Sequence, residues 1–375
     1  MSAGLGKATT PAARLARLKT RRVGLDRPDV AARPARQVVA RTAVAEPWEV
    51  RASGKPNTQL ALGAMLPVDA SETAASLAAA TDLGALLARA LVAMGHHADC
   101  EMQGSVPADI HIRNYSDVDL LLLSRQVTTC DPFALRSLLG MIGKPVTAER
   151  SLQVLNRLRR ALEAFMSANY PGRIDISGSK SMRLGADAEG HPIDVVPSHW
   201  HDTADYDRSG LRTDRGVVIL DSRAQSTIEG MPFRLISLLA ERDGLSGGGL
   251  KRAIRLCKHL KAEAAEEGVV IGLSSYQITG LLYWLEPDAL RAGAAPELAS
   301  LAGAQAWLSY LVDSPMAASA LTDPRSGRLL LPEARDLAAV WSLSERLTAL
   351  SERVIEELDP GAMPPTLAQL WSARI

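Results

Sequence analysis

The sequence has 375 residues, enough for about two domains at ~100–200 residues each, and its 42 Lys and Arg balance 42 Asp and Glu. An apolar share of 47% excludes a wholly disordered chain, and overall neutrality argues against a protein that coats nucleic acid. Cys100, Cys130 and Cys257 are too few and too scattered for a disulfide scaffold or an all-cysteine zinc site, which fits a reducing, cytoplasmic setting.

Ten basic residues fall in the first 42 positions against only Asp26 and Asp29, with Pro11, Pro28 and Pro34 interrupting any apolar period. Residues 1–45 therefore read as a basic, flexible or partly helical arm, the sharper alternative being an arm that touches nucleic acid or the body of the protein. The start lacks the apolar region of a secretory signal. No run reaches the ~18 consecutive apolar residues of a membrane helix, Asp82 and Arg89 breaking the best candidate, so no membrane is expected.

A helix is predicted from Ser71, with Leu77, Leu83, Leu87 and Leu91 at helical spacing and Gly95 closing it. A short extended run then ends at Gly104-Ser105. Ser116–Asp119 leads into Leu120–Leu123, an apolar run with the signature of a buried strand. Leu152–Ala168 reads as a helix, Ile174–Ile176 and Ser181–Leu184 as strands, Asp187–Gly190 as a turn. Ile193–Pro197 reads as a strand stopped by its proline. From about residue 230 the pattern is helical: 233–239, 250–264, 275–284, 296–311 and 333–358. The plan is an α/β half, 46–228, followed by an all-helical half, 229–375.

Three features carry chemistry. On a strand, positions i and i+2 share a face, so Asp117 and Asp119 project together while Val118 packs inward. Side-by-side carboxylates repel unless a hard cation lies between them, and oxygen ligands suit Mg²⁺. Asp194, set between Ile193 and Val195-Val196, is a costly charge in a buried strand without a partner and would supply a third carboxylate. Gly104 lets the backbone approach a phosphate, to which Ser105 can donate. Each piece alone is common, as a solvent-facing Asp pair or a plain turn. Their order and spacing give them weight.

That order resembles the signature of the polymerase-β-like nucleotidyltransferases. More narrowly, Lys180–Pro197 ("KSMRLGADAEGHPIDVVP") resembles the strand–turn–strand of the cGAS/DncV-like nucleotidyltransferases, or CD-NTases. Leu250–Ala262 is similar to that family's basic helix, Ser274-Ser275-Tyr276 to its Ser-Ser-Tyr helix start, and "TDPRSGRLL" to the turn before its last long helix. The resemblance spans roughly residues 70–360. Between Gly-Ser and Asp-x-Asp this chain reads Ala108–Arg113 where many relatives carry Gly-Thr, which puts acceptor positioning there in doubt. His199 and His201 lack a third ligand nearby and read as part of a closing loop rather than a metal pair.

The resemblance implies an α+β fold, a nucleotidyltransferase core with a mixed sheet and flanking helices, then a helical C-terminal domain, bilobal about a central cleft. It implies that Asp117, Asp119 and Asp194 hold two Mg²⁺ ions (or Mn²⁺), that Gly104 and Ser105 cradle the triphosphate, that Lys258 and Ser275 bind donor phosphates, and that Tyr276 stacks on a base. Independently, Lys251, Arg255 and Lys258 form one stripe of their helix. The expected activity joins NTPs into a cyclic di- or oligonucleotide second messenger in anti-phage defence. A separate effector would read the product, and a regulatory protein or RNA is a further open partner. The alternatives are a transferase acting on RNA ends or a small acceptor, and a catalytically dead nucleotide-binding scaffold.

Overall fold

A computed structural model describes residues 10–23, 46–113, 116–141, 146–185, 192–293, 295–361 and 364–375. It divides into two compact units, one of residues 1–68, 110–115 and 239–375, the other of 69–109 and 116–238.

The helical unit opens with α1 (Pro11–Val23), α2 (Pro47–Arg51) and α3 (Pro56–Met65). The first of these makes the arm expected over residues 1–45 helical in part and lays it against the body of this unit. Arg14 and Arg21 are buried, and Leu15 and Leu18 are buried beside them. The sequence boundary expected at 46 also moves. Trp48, Leu60, Leu62 and Met65 are core residues of this unit, and the division falls after Val68 and again after Leu238.

The sheet unit contains α4 (Ala70–Ala93), β1 (Ala98–Gln103), β2 (Val118–Cys130), α5 (Leu135–Leu138), α6 (Ala148–Asn169), β3 (Ile174–Asp175), β4 (Met182–Leu184), β5 (Ile193–Asp202), α7 (Ala204–Ser209), β6 (Gly216–Asp221) and β7 (Ser226–Gly230). The seven-stranded sheet is mixed: β1-β2-β5-β4-β3 runs in that order, and β6 pairs β5 and β7. Only β2 and β5 are parallel neighbours. Alternation along β2 sends Leu120 and Leu122 to one core with Leu87, Leu158 and Val195. It sends Leu121 and Leu123 to the other face, with Val196, Val217 and Phe233. Both faces are covered, which is why the run reads as continuously apolar.

The stretch Pro56–Ala93 meets the length and hydropathy of a membrane span, beyond what the sequence reading allowed. In the fold it breaks into α3 and α4, and Ala80, Leu83, Leu87 and Leu91 are buried in the sheet unit's core. Pro197 does not stop its strand, since β5 continues to Asp202. It lies between residues 193–195, paired with β4, and 198–201, paired with β6, where that side offers no ladder partner. His199 and His201 therefore sit on a strand and not on a closing loop. His199 Nε2 meets Ser151 Oγ at 2.5 Å and its Nδ1 meets Trp200 O at 2.8 Å, while His201 bonds Thr129. The turn expected at 187–190 lies outside the described residues.

The helical unit is completed beyond Leu238 by α8 (Pro232–Leu245, which straddles the division), α9 (Gly249–Glu266), α10 (Ser275–Tyr283), α11 (Pro296–Asp313), α12 (Pro315–Ala320), α13 (Ala334–Leu358) and α14 (Leu367–Ser372). Helix α1 docks on α9 through ion pairs. Arg14 grips Glu263 with two bonds of 2.7 Å, both side chains under a tenth exposed. Arg21 bonds Glu266 at 2.7 Å and lies 3.2 Å from His259 Nδ1.

Candidate active site

In the sheet unit, register places four of the polar residues in one row. Gln103, Asp119, Asp194 and Arg183 are successive cross-strand partners on β1, β2, β5 and β4. Cross-strand partners share a face, with Cβ atoms ~4.5–5.5 Å apart. Asp119 shares its face with Leu121, and Asp194 shares its own with Val196, so the row continues the Leu121–Val196 core at its polar end. The sequence placed Asp117 and Asp119 together; the sheet adds Asp194 beside Asp119.

Gly104 ends β1 with φ of +88°, a region that L side chains rarely adopt. A Cβ at this position would also run into the Asp119 carboxylate. Two independent requirements thus select glycine here, and one of them is room for a proposed catalytic group. Ser105 follows, partly exposed.

Asp194 carries the cost foreseen for a charge in this strand. Its Oδ1 is buried without a hydrogen-bond partner. Burial pushes its pKa up, and the negative charge of Asp117 pushes the same way, against the pull of Arg183. Arg183 also holds Asp117 through a 2.9 Å ion pair. The sequence reading missed this arginine; its place in the alternating strand Met182–Leu184 gave its face but not its neighbours. Among the described residues, no three carboxylate, imidazole or thiol side chains are gathered closely enough to hold a metal ion. The donor chemistry nonetheless suits a divalent cation, since the oxygens are hard and one of them is buried and unpartnered, while Arg183 competes for Asp117.

In the helical unit, the stripe predicted on α9 is buried, not solvated. Arg255 Nε donates to Met65 O at 2.7 Å, and Lys258 Nζ donates to Ile110 O at 2.8 Å. Both residues are only 5% exposed. Lys258 thus holds the segment that follows the Gly-Ser turn in sequence. Cys257, on the opposite face, has its thiol pushed up to about 12 by burial.

Ser274 caps α10 through a reciprocal box with Gln277, which sets Ser275 and Tyr276 in the first turn. Tyr276 is 41% exposed, and the Arg325 guanidinium lies 4.6 Å from its ring centroid. Arg325 is fixed in turn by Asp323, which is buried at the start of the "DPRSG" turn. Burial, and then Asp323, raise the pKa of the Tyr276 hydroxyl. The motif resemblance singled out the turn; it did not indicate that Arg325 would back the aromatic ring.

No family model matches the sequence. The chain is 32% identical over 316 residues to the cyclic dinucleotide synthase CdnE of Yersinia aleksiciae, covering 84% of this chain and 81% of that protein. It is 27% identical over 201 residues to a c-di-GMP synthase of Lachnospiraceae bacterium strain RUG226, 49% of this chain and 57% of that one. Among solved structures, the STING-associated CdnE c-di-GMP synthase from Capnocytophaga granulosa superposes with a TM-score of 0.68 at 19% identity, covering 91% of this chain and 97% of that chain. The corresponding Flavobacteriaceae sp. enzyme gives 0.69 at 18% identity, covering 92% and 98%. The fold is therefore that of CdnE, and with nearly a third of residues identical over most of both chains, the protein belongs to the cGAS/DncV-like nucleotidyltransferases.

Proposed function

We propose that this nucleotidyltransferase joins NTPs into a cyclic di- or oligonucleotide messenger. The observation that carries the reading is the row Asp119–Asp194 beside Gly104, in a chain 32% identical to a cyclic dinucleotide synthase. In this reading Asp117, Asp119 and Asp194 hold divalent metal, two Mg²⁺ ions or Mn²⁺ in their place. Metal bound there neutralises charge on the α-phosphate and the leaving pyrophosphate and acidifies the attacking ribose hydroxyl.

The chain's own residues do the rest. Of the three carboxylates, Asp194 takes the proton of the attacking hydroxyl. The new bond forms between that oxygen and the α-phosphorus as the bond to the β-phosphate bridge breaks. A second attack of the same kind closes the ring. Gly104 and Ser105 bind the triphosphate, Lys258 and Ser275 the donor phosphates, and Tyr276 stacks on a base with Arg325 behind it. Arg183 neutralises Asp117 through their ion pair. A separate effector that reads the product is the expected partner, as the STING association of the Capnocytophaga enzyme suggests.

The test incubates purified protein with labelled NTPs and Mg²⁺ or Mn²⁺ and seeks a phosphatase-resistant product by mass spectrometry. A linear or acceptor-linked product would replace this reading with transfer to RNA ends or a small acceptor. Full activity in an Asp117→Ala, Asp119→Ala double variant would refute the metal assignment.

A further inference from the structure

Helix α5 is amphipathic in the wrong direction. Phe133, Leu135, Leu138, Leu139 and Met141 are 77%, 56%, 67%, 60% and 72% exposed. No other nine-residue stretch among the described residues carries as many exposed large hydrophobic side chains. Leu135, Leu138 and Leu139 stand at i, i+3 and i+4 and therefore share one face of the turn.

What faces the protein is polar. The Arg136 backbone N–H donates to Asp207 Oδ2 at 2.9 Å, and its guanidinium binds both Asp207 and Asp202. Arg215 pairs the same Asp202 at 2.7 Å. Ser137 Oγ donates to Asp131 O, and the Phe133 N–H to Asp131 Oδ1. Of the segment's apolar side chains only Ala134 is buried. The segment is thus pinned by ion pairs and hydrogen bonds so that its leucines point to solvent.

Five side chains at roughly 100–130 Å² apiece present on the order of 500–600 Å² of apolar surface, at the top of the ~300–600 Å² that the largest patch of a monomer spans, a size at which such patches are often functional. With a polar rim that approaches the ~800 Å² per partner of a standard interface. We propose that α5 is a homodimer interface, packed about a two-fold axis against α5 of a second copy. Three arguments select this occupant. The area suffices for a dimer. The face is purely aliphatic and aromatic, as the cores of homodimer interfaces are, and two copies are self-complementary by symmetry. The carboxylates around its anchor, Asp202, Asp205 and Asp207, are already paired by Arg136, Arg215, Arg208 and Arg234, so the surroundings offer no surplus charge to recruit a charged surface.

The experiment is sedimentation velocity on the full chain between about 1 and 100 µM. The expected result is a concentration-dependent monomer–dimer equilibrium that Leu138→Asp with Leu139→Asp weakens at least ~100-fold, the thermal midpoint and nucleotidyl transfer staying as in the parent. A Leu138→Cys variant should form a bismaleimide-linked dimer that the parent does not, because symmetry places residue 138 near its own counterpart. A parent that stays monomeric throughout, a dimer unaffected by the double substitution, or flotation of the parent with phosphatidylglycerol vesicles would each overturn the proposal.

Discussion

Arg14 and Glu263 meet with two 2.7 Å bonds, and their side chains are 8% and 6% exposed. Replacing Arg14 with Met keeps the aliphatic bulk and strands a buried carboxylate, a change that costs about 3–5 kcal/mol in comparable pairs. Undocking α1 sets the ceiling on that cost, because release would return Glu263 to water. What α1 loses on release is chiefly the burial of Leu15 and Leu18, about 1.5–3 kcal/mol each, a range of the same size. The Arg14→Met variant is therefore expected to lose about 3–5 kcal/mol in urea unfolding of the helical unit. Trypsin should cut it rapidly after Arg17 and Lys19 under native conditions. Adding Glu263→Leu should recover most of the loss, since an apolar pair in place of a buried ion pair is close to neutral. A loss below about 1 kcal/mol with unchanged proteolysis, or a double variant costing the sum of its singles, would refute the view that this pair locks α1 down.

Three further outcomes are expected. Gly104→Ala should reduce nucleotidyl transfer by at least ~10-fold in a steady-state assay, since it meets ~1–2 kcal/mol of backbone strain and a clash with the Asp119 carboxylate. Asp194→Asn should lower transfer by at least ~100-fold, the equivalent of several kcal/mol of lost charge stabilisation, yet melt higher than the parent at pH 7 without divalent metal. The sign follows from the raised pKa: Asp194's contribution to stability is fully present below its unfolded pKa and lost as pH rises through the folded one, so ionised Asp194 is a burden at neutrality. His259 works the other way, its pKa held well below 6.5 by burial and by Arg21. Its contribution is present above pH 6.5 and drains away as pH falls, so melts of His259→Gln should show a shallower acid slope than the parent's between pH 6.5 and 5.

Much of the sheet was legible because it rests on local rules. The apolar run at Leu120–Leu123, the i, i+2 spacing of Asp117 and Asp119, and the helical period after Ser71 need only short-range periodicity. The burial of α1's arginines escaped because punctuating prolines and dense arginines resemble a solvated arm. Glu263, Glu266 and Glu267, which pair with Arg14, Arg21 and Arg17, lie some 245–250 residues away. The hairpin of β6 and β7 escaped for lack of a two-residue turn signature between its strands. Strand β5 beyond Pro197 escaped because only the sheet order reveals that the proline falls between two neighbours. Arg183 and Arg325 stood inside motifs that were read, but what each faces is fixed by tertiary register and not by spacing.

The distance in sequence between Arg14 and Glu263 also bears on synthesis. An emerging chain folds from its N-terminus, so α1 can pack early on α3, where Leu18 meets Gly63, but the carboxylate partners of Arg14 and Arg21 arrive only once residues 249–266 have left the ribosome. The row of Asp119 and Asp194 likewise waits for β5 to pair with β2. Until α9 emerges, the two arginines that end up most deeply buried in α1 have no counter-charge, so the last step in closing this helix is electrostatic and comes late.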